Sequence, residues 1–141
     1  MKKQVICINT MKHEFNVKVY PADTDSYGVV WHGAYLKWLE KGRIGVLEQM
    51  DIKFRKLDEM GILMPVVNIN LQYKKFARPY DELSVESVIT EFCKTSVIFY
   101  QEVKNINTRE TVLTAKVIGV TTDKTGKLYR TIPEYLQSKY T

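Results

Sequence analysis

Residues 33–50 read GAYLKWLEKGRIGVLEQM, and the rest of the chain can be interpreted outward from them. Their apolar side chains recur at every third or fourth position, which predicts the longest helix of the chain. Gly42 and Gly45 lie inside this helix, although each costs about 1 kcal/mol of helix propensity relative to alanine. We therefore expect a sheet to approach the helix closely at these two positions.

The segments on either side of the helix predict strands and short connections. Residues 14–20 alternate apolar and polar side chains before the helix, and a shorter helix is expected at about 53–60. Four segments rich in β-branched and aromatic residues follow, at 63–76, 82–92, 95–106 and 110–122. The breaks at 77–81, 93–94 and 105–109 are typical of hairpin turns. This order predicts an α+β fold in which an antiparallel sheet wraps one long central helix.

Composition limits the class of protein. The 141 residues suit a single domain spanning 1–141, with residues 1–10 as a loosely held extension. The net charge of +5 permits an anionic ligand but is too small to indicate nucleic acid. Cys7 and Cys93 form no CxxC pair and no metal-ligand spacing with the histidines, so we expect free thiols and no metal. With no apolar run long enough to span a membrane, a cytoplasmic protein is expected.

The loop before the long helix carries the polar residues with the clearest chemistry. Residues 23–35 place two acids and Gly28 directly ahead of the helix, whose first N–H groups have no partners within the helix. Such N–H groups favour an anion or a polarised carbonyl, and a nearby carboxylate completes the minimum set for acyl transfer. Gly28 would let the backbone approach a ligand closely. The alternative is an ordinary pre-helix loop in which an aspartate serves as a cap.

Residues 18–35 resemble the signature of the 4-hydroxybenzoyl-CoA thioesterase family. The motif T-D-x-x-G-[IV]-V-x-[HF]-x-x-[FY] is matched by Thr24, Asp25, Gly28, Val29, Val30, His32 and Tyr35. The resemblance continues through 35–43 and covers about residues 12–128. It implies the hotdog fold, hydrolysis of acyl-CoA thioesters without a cofactor, and a homo-oligomer, dimer or tetramer, with sites shared between subunits.

The resemblance also implies roles for individual residues. Asp25 corresponds to the catalytic carboxylate, acting as a nucleophile or as a general base on water. The backbone N–H of His32 corresponds to the group that polarises the thioester carbonyl. The His32 imidazole matches the bacterial acyl-CoA branch, which is the Tol-Pal-associated branch. Tyr27 departs from the small residue that the family often has before the glycine and would narrow the acyl tunnel, and Tyr35 is expected to pack near the acyl pocket. Glu40 either pairs with Arg43 one turn away or lies at the acyl end of the site, where some relatives have an acid.

Coenzyme A carries phosphates, so its binding groove should be basic. Lys75 and Arg78 lie beside a predicted strand end, and Lys94, Thr95 and Ser96 lie at a predicted hairpin where relatives bind the nucleotide. The alternative for each set is a solvated charge cluster. The acyl group is not specified, and acyl carrier protein is a possible carrier in place of CoA. A hotdog protein that binds acyl-CoA or acyl carrier protein without catalysis is the alternative function.

Overall fold

The computed structural model describes residues 6–7 and 12–140. Its central element is helix α1, Ala34–Gln49, as predicted from the helical spacing. The helix lies across one face of an antiparallel sheet and contributes eight buried residues to the interface: Ala34, Tyr35, Trp38, Leu39, Gly42, Gly45, Val46 and Leu47. Because α1 is buried along so much of its length, tertiary packing outweighs the cost of its two glycines.

Within the described residues the sheet has six strands in the order β1-β4-β5-β6-β3, with β2 also pairing to β4. The strands are β1 Ile6–Cys7, β2 His13–Lys18, β3 Val66–Tyr73, β4 Glu82–Phe92, β5 Ser96–Asn105 and β6 Thr111–Val120. Two short helices, α2 Phe54–Glu59 and α3 Glu134–Tyr140, complete the chain. The α+β layout of a sheet around one long helix, the hotdog architecture, is confirmed.

The predicted hairpin at 77–81 is wrong, whereas those between β4 and β5 and between β5 and β6 are confirmed. Strand β3 pairs with β6, Ile69 opposite Val117, and lies at the sheet edge. The chain then crosses back to β4 and packs on the loop before α1, where Ala77 accepts from the N–H of Val30 at 2.8 Å. Strand propensity alone does not specify a strand's partner, which is why the crossover was missed.

The close approach of the sheet at both helical glycines is confirmed. A Cβ on Gly42 would overlap the hydroxyl of Ser87 on β4 and would lie 2.9 Å from the side-chain amide of Gln101 on β5. A Cβ on Gly45 would overlap the ring of His13 on β2. The two glycines therefore let α1 lie against three strands at once.

Other sequence expectations concern the periphery of the molecule. Ile6–Cys7 pairs with the end of β4, and the other residues of the predicted extension, 1–5 and 8–10, lie outside the described residues. Cys93 is free, as expected, and it is half-buried. No helix in the part of the chain that the structure describes is long and apolar enough to cross a membrane.

Candidate active site

A tight loop places the predicted catalytic carboxylate. Thr24 and Val30 form an isolated antiparallel bridge, and the N–H of Gly28 donates to the carbonyl of Asp25 at 3.0 Å. Gly28 has a φ of 76°, which glycine adopts without the steric cost that other residues pay. The carboxylate Oδ1 of Asp25 accepts from the N–H of Tyr27 at 2.8 Å. The half-buried Asp25 side chain is thus held at one oxygen, and its other oxygen has no hydrogen bond within the described residues.

Asp23 shapes this loop, in agreement with the alternative that one aspartate serves as a cap. Its Oδ2 accepts from the N–H of Tyr20 at 2.9 Å, and its backbone carbonyl accepts from the N–H of Trp31 at 3.0 Å. These contacts tie the two ends of the loop to each other. Of the two acids in the loop, Asp25 is therefore the one whose carboxylate remains available to a substrate.

The backbone just before α1 presents N–H groups with no acceptor. Ala34 donates to the carbonyl of Trp31 at 3.0 Å, but the N–H groups of His32 and Gly33 donate no hydrogen bond within residues 12–140. A Cβ at Gly33 would overlap the ring of Trp31, which packs edge-on against the imidazole of His32 at 5.4 Å between centroids. The local geometry leaves two N–H donors at the positive end of the helix dipole.

Asp25 and His32 line one cavity of about 480 Å³. Its lining includes six of the residues singled out from the sequence: Asp25, Tyr27, His32, Tyr35, Lys75 and Arg78. Tyr27 is 87% exposed and lies at the mouth. The rest of the lining is mainly apolar. The cavity therefore suits an acyl group, with its apolar part against this lining and its reactive carbonyl against the polar residues.

Two aromatic lining residues, Tyr73 and Phe76, were not identified from the sequence. The hydroxyl of Tyr73, at the end of β3, donates to the backbone carbonyl of His32 at 2.9 Å. Its ring packs at 5.9 Å from that of Tyr35, and burial raises the pKa of Tyr35 to about 12. Finding Tyr73 required knowing where β3 lies in the sheet, which the strand pattern alone did not specify.

The structure does not bring Glu40 into this cavity within one chain. Glu40 lines a second cavity of about 320 Å³ together with Arg43 and apolar residues that include Val66 and Phe99. The Arg43 guanidinium donates to the side chain of Gln101 at 3.1 Å, and burial lowers its pKa. Gly28 lies beside the first cavity without lining it, and its turn conformation accounts for the glycine.

Lys94, Thr95 and Ser96 lie at the opposite end of the sheet from Asp25. Lys94 and Thr95 lie in the β4–β5 turn, and Ser96 is the first residue of β5. The loop that holds Asp25 follows Lys18, the last residue of β2. Asn105, the last residue of β5, lies at the same end of the sheet. Nine residue steps of about 3.3 Å separate Ser96 from Asn105, or about 30 Å. One chain therefore does not bring this predicted nucleotide site to its own Asp25.

Comparisons with known proteins agree with this architecture. The family model of the thioesterase-like superfamily matches residues 19–140. The candidate esterase sll0410 of Synechocystis sp. is 33% identical over 125 residues, covering 88% of this chain and 75% of that protein. The acyl-CoA thioester hydrolase YbgC of Escherichia coli O6:H1 is 28% identical over 134 residues, or 94% and 98% of the two chains.

A solved structure gives the same result for the fold. The 1,4-dihydroxy-2-naphthoyl-CoA thioesterase Slr0204 from Synechocystis superposes with a TM-score of 0.81 at 20% identity, covering 92% of this chain and 96% of that chain. The chain belongs to the thioesterase-like superfamily of hotdog-fold thioester hydrolases. The resemblance to the 4-hydroxybenzoyl-CoA thioesterase family is thereby confirmed.

Proposed function

We propose that this protein hydrolyses acyl-CoA thioesters to the free acid and coenzyme A. The observation that carries the proposal is that Asp25 and His32 line one cavity, and that the His32 N–H has no acceptor within the described residues. The relatives named acyl-CoA thioesterases support the same substrate class. Cys93 is a free thiol, which fits the reducing cytoplasm, where we place the reaction.

The reaction follows from the charges that develop at the acyl carbon. The thioester oxygen points at the N–H of His32, which stabilises the negative charge of the tetrahedral intermediate. Asp25 attacks the carbonyl carbon directly or removes a proton from an attacking water. The carbon–sulfur bond then breaks, and CoA leaves as a thiolate that takes up a proton. In the direct route the acyl group remains on Asp25 as an anhydride, and water then hydrolyses it to the free acid and restores the carboxylate. The His32 imidazole lines the cavity and assists this proton transfer.

A second copy of the chain completes the proposed site. Strand β3 pairs along one side only within the described residues, and its exposed apolar side chains include Val66, Val67 and Ile69. Such an edge favours pairing with another strand. Antiparallel pairing of two β3 strands about a twofold axis places the Tyr73 end of one copy beside the Val66 end of the other.

This arrangement accounts for the predicted residues that one chain keeps apart. The cavity lined by Glu40 and Val66 in one copy would face the Asp25 cavity of its partner, which makes Glu40 a lining residue at the acyl end. Lys94, Thr95 and Ser96 lie at the same sheet end as Val66 and would reach the CoA nucleotide from the partner. The proposed assembly is a dimer, or a homotetramer of two such dimers. Lys75 and Arg78 would bind CoA phosphates from the copy that holds Asp25.

The test is thiol release from a panel of acetyl-, hexanoyl- and benzoyl-CoA, measured with a thiol-trapping reagent. Asp25→Asn should lower kcat by about 10²- to 10⁴-fold, because amide nitrogen and oxygen neither attack nor accept the proton effectively. Asp58→Asn, an exposed acid on α2, is the matched control and should leave kcat unchanged. Release by Asp25→Asn at the wild-type rate would contradict the role of Asp25. Binding of every acyl-CoA without release would favour the non-catalytic alternative, and acyl carrier protein thioesters test the other carrier.

A further inference from the structure

Tyr73 makes a contact that no step of the proposed reaction has used. Its hydroxyl donates to the carbonyl of His32 at 2.9 Å across 41 residues of sequence. The proposed reaction uses the N–H of the same residue, which belongs to the preceding peptide unit. Because each peptide unit is planar and only φ and ψ of His32 join the two units, a group that anchors the His32 carbonyl limits where the His32 N–H can lie.

The rest of the Tyr73 side chain is held from the core side. Its ring packs against Tyr35, which is 2% exposed and in turn packs edge-on against Trp38 at 5.4 Å. Both partners lie on α1, the helix that begins two residues after the carbonyl that the hydroxyl contacts. Tyr73 therefore links the end of β3 to the start of α1 by one aromatic contact and one hydrogen bond.

This hydrogen bond anchors backbone that few other contacts hold. The N–H of His32 donates no hydrogen bond within the described residues, so no contact of its own fixes its direction. The hydroxyl of Tyr73 therefore holds the residue whose N–H the reaction uses. This hold matters most when negative charge develops on the thioester oxygen, rather than in the bound ground state.

We propose that Tyr73 is a positioning residue that holds the backbone of His32 so that its N–H faces the thioester carbonyl. It does not touch the reacting atoms, and it acts through the backbone at the start of α1. The inference rests on the proposed thioesterase activity. It predicts that removal of one oxygen atom from Tyr73 weakens the transition state more than substrate binding.

The test compares Tyr73→Phe with the wild type on whichever of acetyl-, hexanoyl- and benzoyl-CoA the wild type hydrolyses fastest. We expect kcat to fall by about 10- to 100-fold, the range expected for misplaced catalytic groups, with KM within about 2-fold. Tyr100→Phe, on β5 and half-exposed outside the cavity, is the matched control and should change neither constant. Circular dichroism establishes that both variants fold.

A spectroscopic measurement separates positioning from a general loss of order. The same acyl-CoA is bound to Asp25→Asn, and the infrared stretch of its thioester carbonyl is compared with and without the additional Tyr73→Phe change. We expect the shift toward lower frequency to be smaller without the hydroxyl. Unchanged kcat, or an unchanged carbonyl frequency, would overturn the role of Tyr73 alone. If the wild type releases no CoA from any thioester, both this inference and the proposed function are overturned.

Discussion

Gln101, at the middle of β5, donates its side-chain amide to the backbone carbonyl of Leu39 in the centre of α1 at 2.8 Å. The side chain is fully buried, and the same amide also donates to the hydroxyl of Ser87 at 2.7 Å. Its oxygen accepts from Arg43 at 3.1 Å. A buried amide with all these partners fixes the height of the helix above the sheet, because the amide itself would otherwise lie in the core unsatisfied.

We expect Gln101→Leu to lower the free energy of unfolding by about 1–3 kcal/mol, since Ser87 and Arg43 each lose a buried partner. Urea denaturation measures this difference. Tyr100→Phe, one residue away on the opposite face of β5, should change it by less than about 0.5 kcal/mol. Equal midpoints for Gln101→Leu and the wild type would show that the amide network does not stabilise the fold.

Gly42→Ala is expected to destabilise the protein although alanine is the better helix former. The added methyl group would overlap the Ser87 hydroxyl and lie 2.9 Å from the Gln101 amide. Overpacking of this kind costs about 1–3 kcal/mol and exceeds the gain of about 1 kcal/mol in helix propensity. Thermal and urea unfolding give the sign directly. Glu48→Ala, on the exposed side of α1, serves as the control, and a Gly42→Ala protein more stable than the wild type would contradict the close approach.

The helix and the glycines were predictable because their signals are local. The spacing of apolar residues in 33–50 depends on one element, and Gly42 inside a helix indicates a close neighbour. The neighbour's identity, Ser87 or Gln101, depends on strand register and was not predictable. The same limit explains why Asp25 and His32 were found through a continuous motif, whereas Tyr73 was missed, because it joins the site from the far edge of the sheet.

Gly33→Ala should impair catalysis more than stability. The backbone at Gly33 is helical, with φ of −81° and ψ of −18°, which alanine adopts readily. The obstacle is the ring of Trp31, which a Cβ would overlap. We expect kcat to fall by about 10- to 100-fold as the first turn of α1 shifts, and the double variant with Trp31→Ala to recover part of the loss. Steady-state kinetics test the single and the double variant, and full activity of Gly33→Ala would contradict the expected shift of the first turn.

The stability of the protein should depend on pH through Glu86. Partial burial favours the neutral acid, but Lys12 at 2.9 Å and Lys104 at 3.5 Å outweigh it, so the pKa of Glu86 is lowered from 4.5. The contribution of this carboxylate is therefore fully present above pH 4.5 and is lost as the pH falls through its folded value. Urea unfolding of Glu86→Gln between about pH 3 and 6 should show a flatter pH dependence than that of the wild type. Parallel curves for the two proteins would contradict this assignment, and Glu48→Gln is the control.

Salt should weaken substrate binding if Lys75 and Arg78 contact the CoA phosphates. Both are exposed, and Lys75 already pairs with Glu110 at 3.4 Å, so each contribution is modest. We expect Arg78→Gln to raise KM by about 2- to 5-fold with kcat unchanged, and to reduce the dependence of KM on ionic strength. Arg55→Gln, exposed on α2, provides the comparison. A KM that is insensitive to both salt and Arg78 would place the phosphates elsewhere.

The separation of Asp25 and Lys94 by the length of the sheet has a consequence for mixtures of defective chains. If each site takes its carboxylate from one copy and its nucleotide contacts from the other, a dimer of Asp25→Asn with a Lys94→Glu chain contains one site with both defects and one with neither. Two defective proteins, unfolded and refolded together, would then complement each other, because random pairing gives about one quarter of the sites both wild-type groups. Chains that keep both groups in one site would show no complementation.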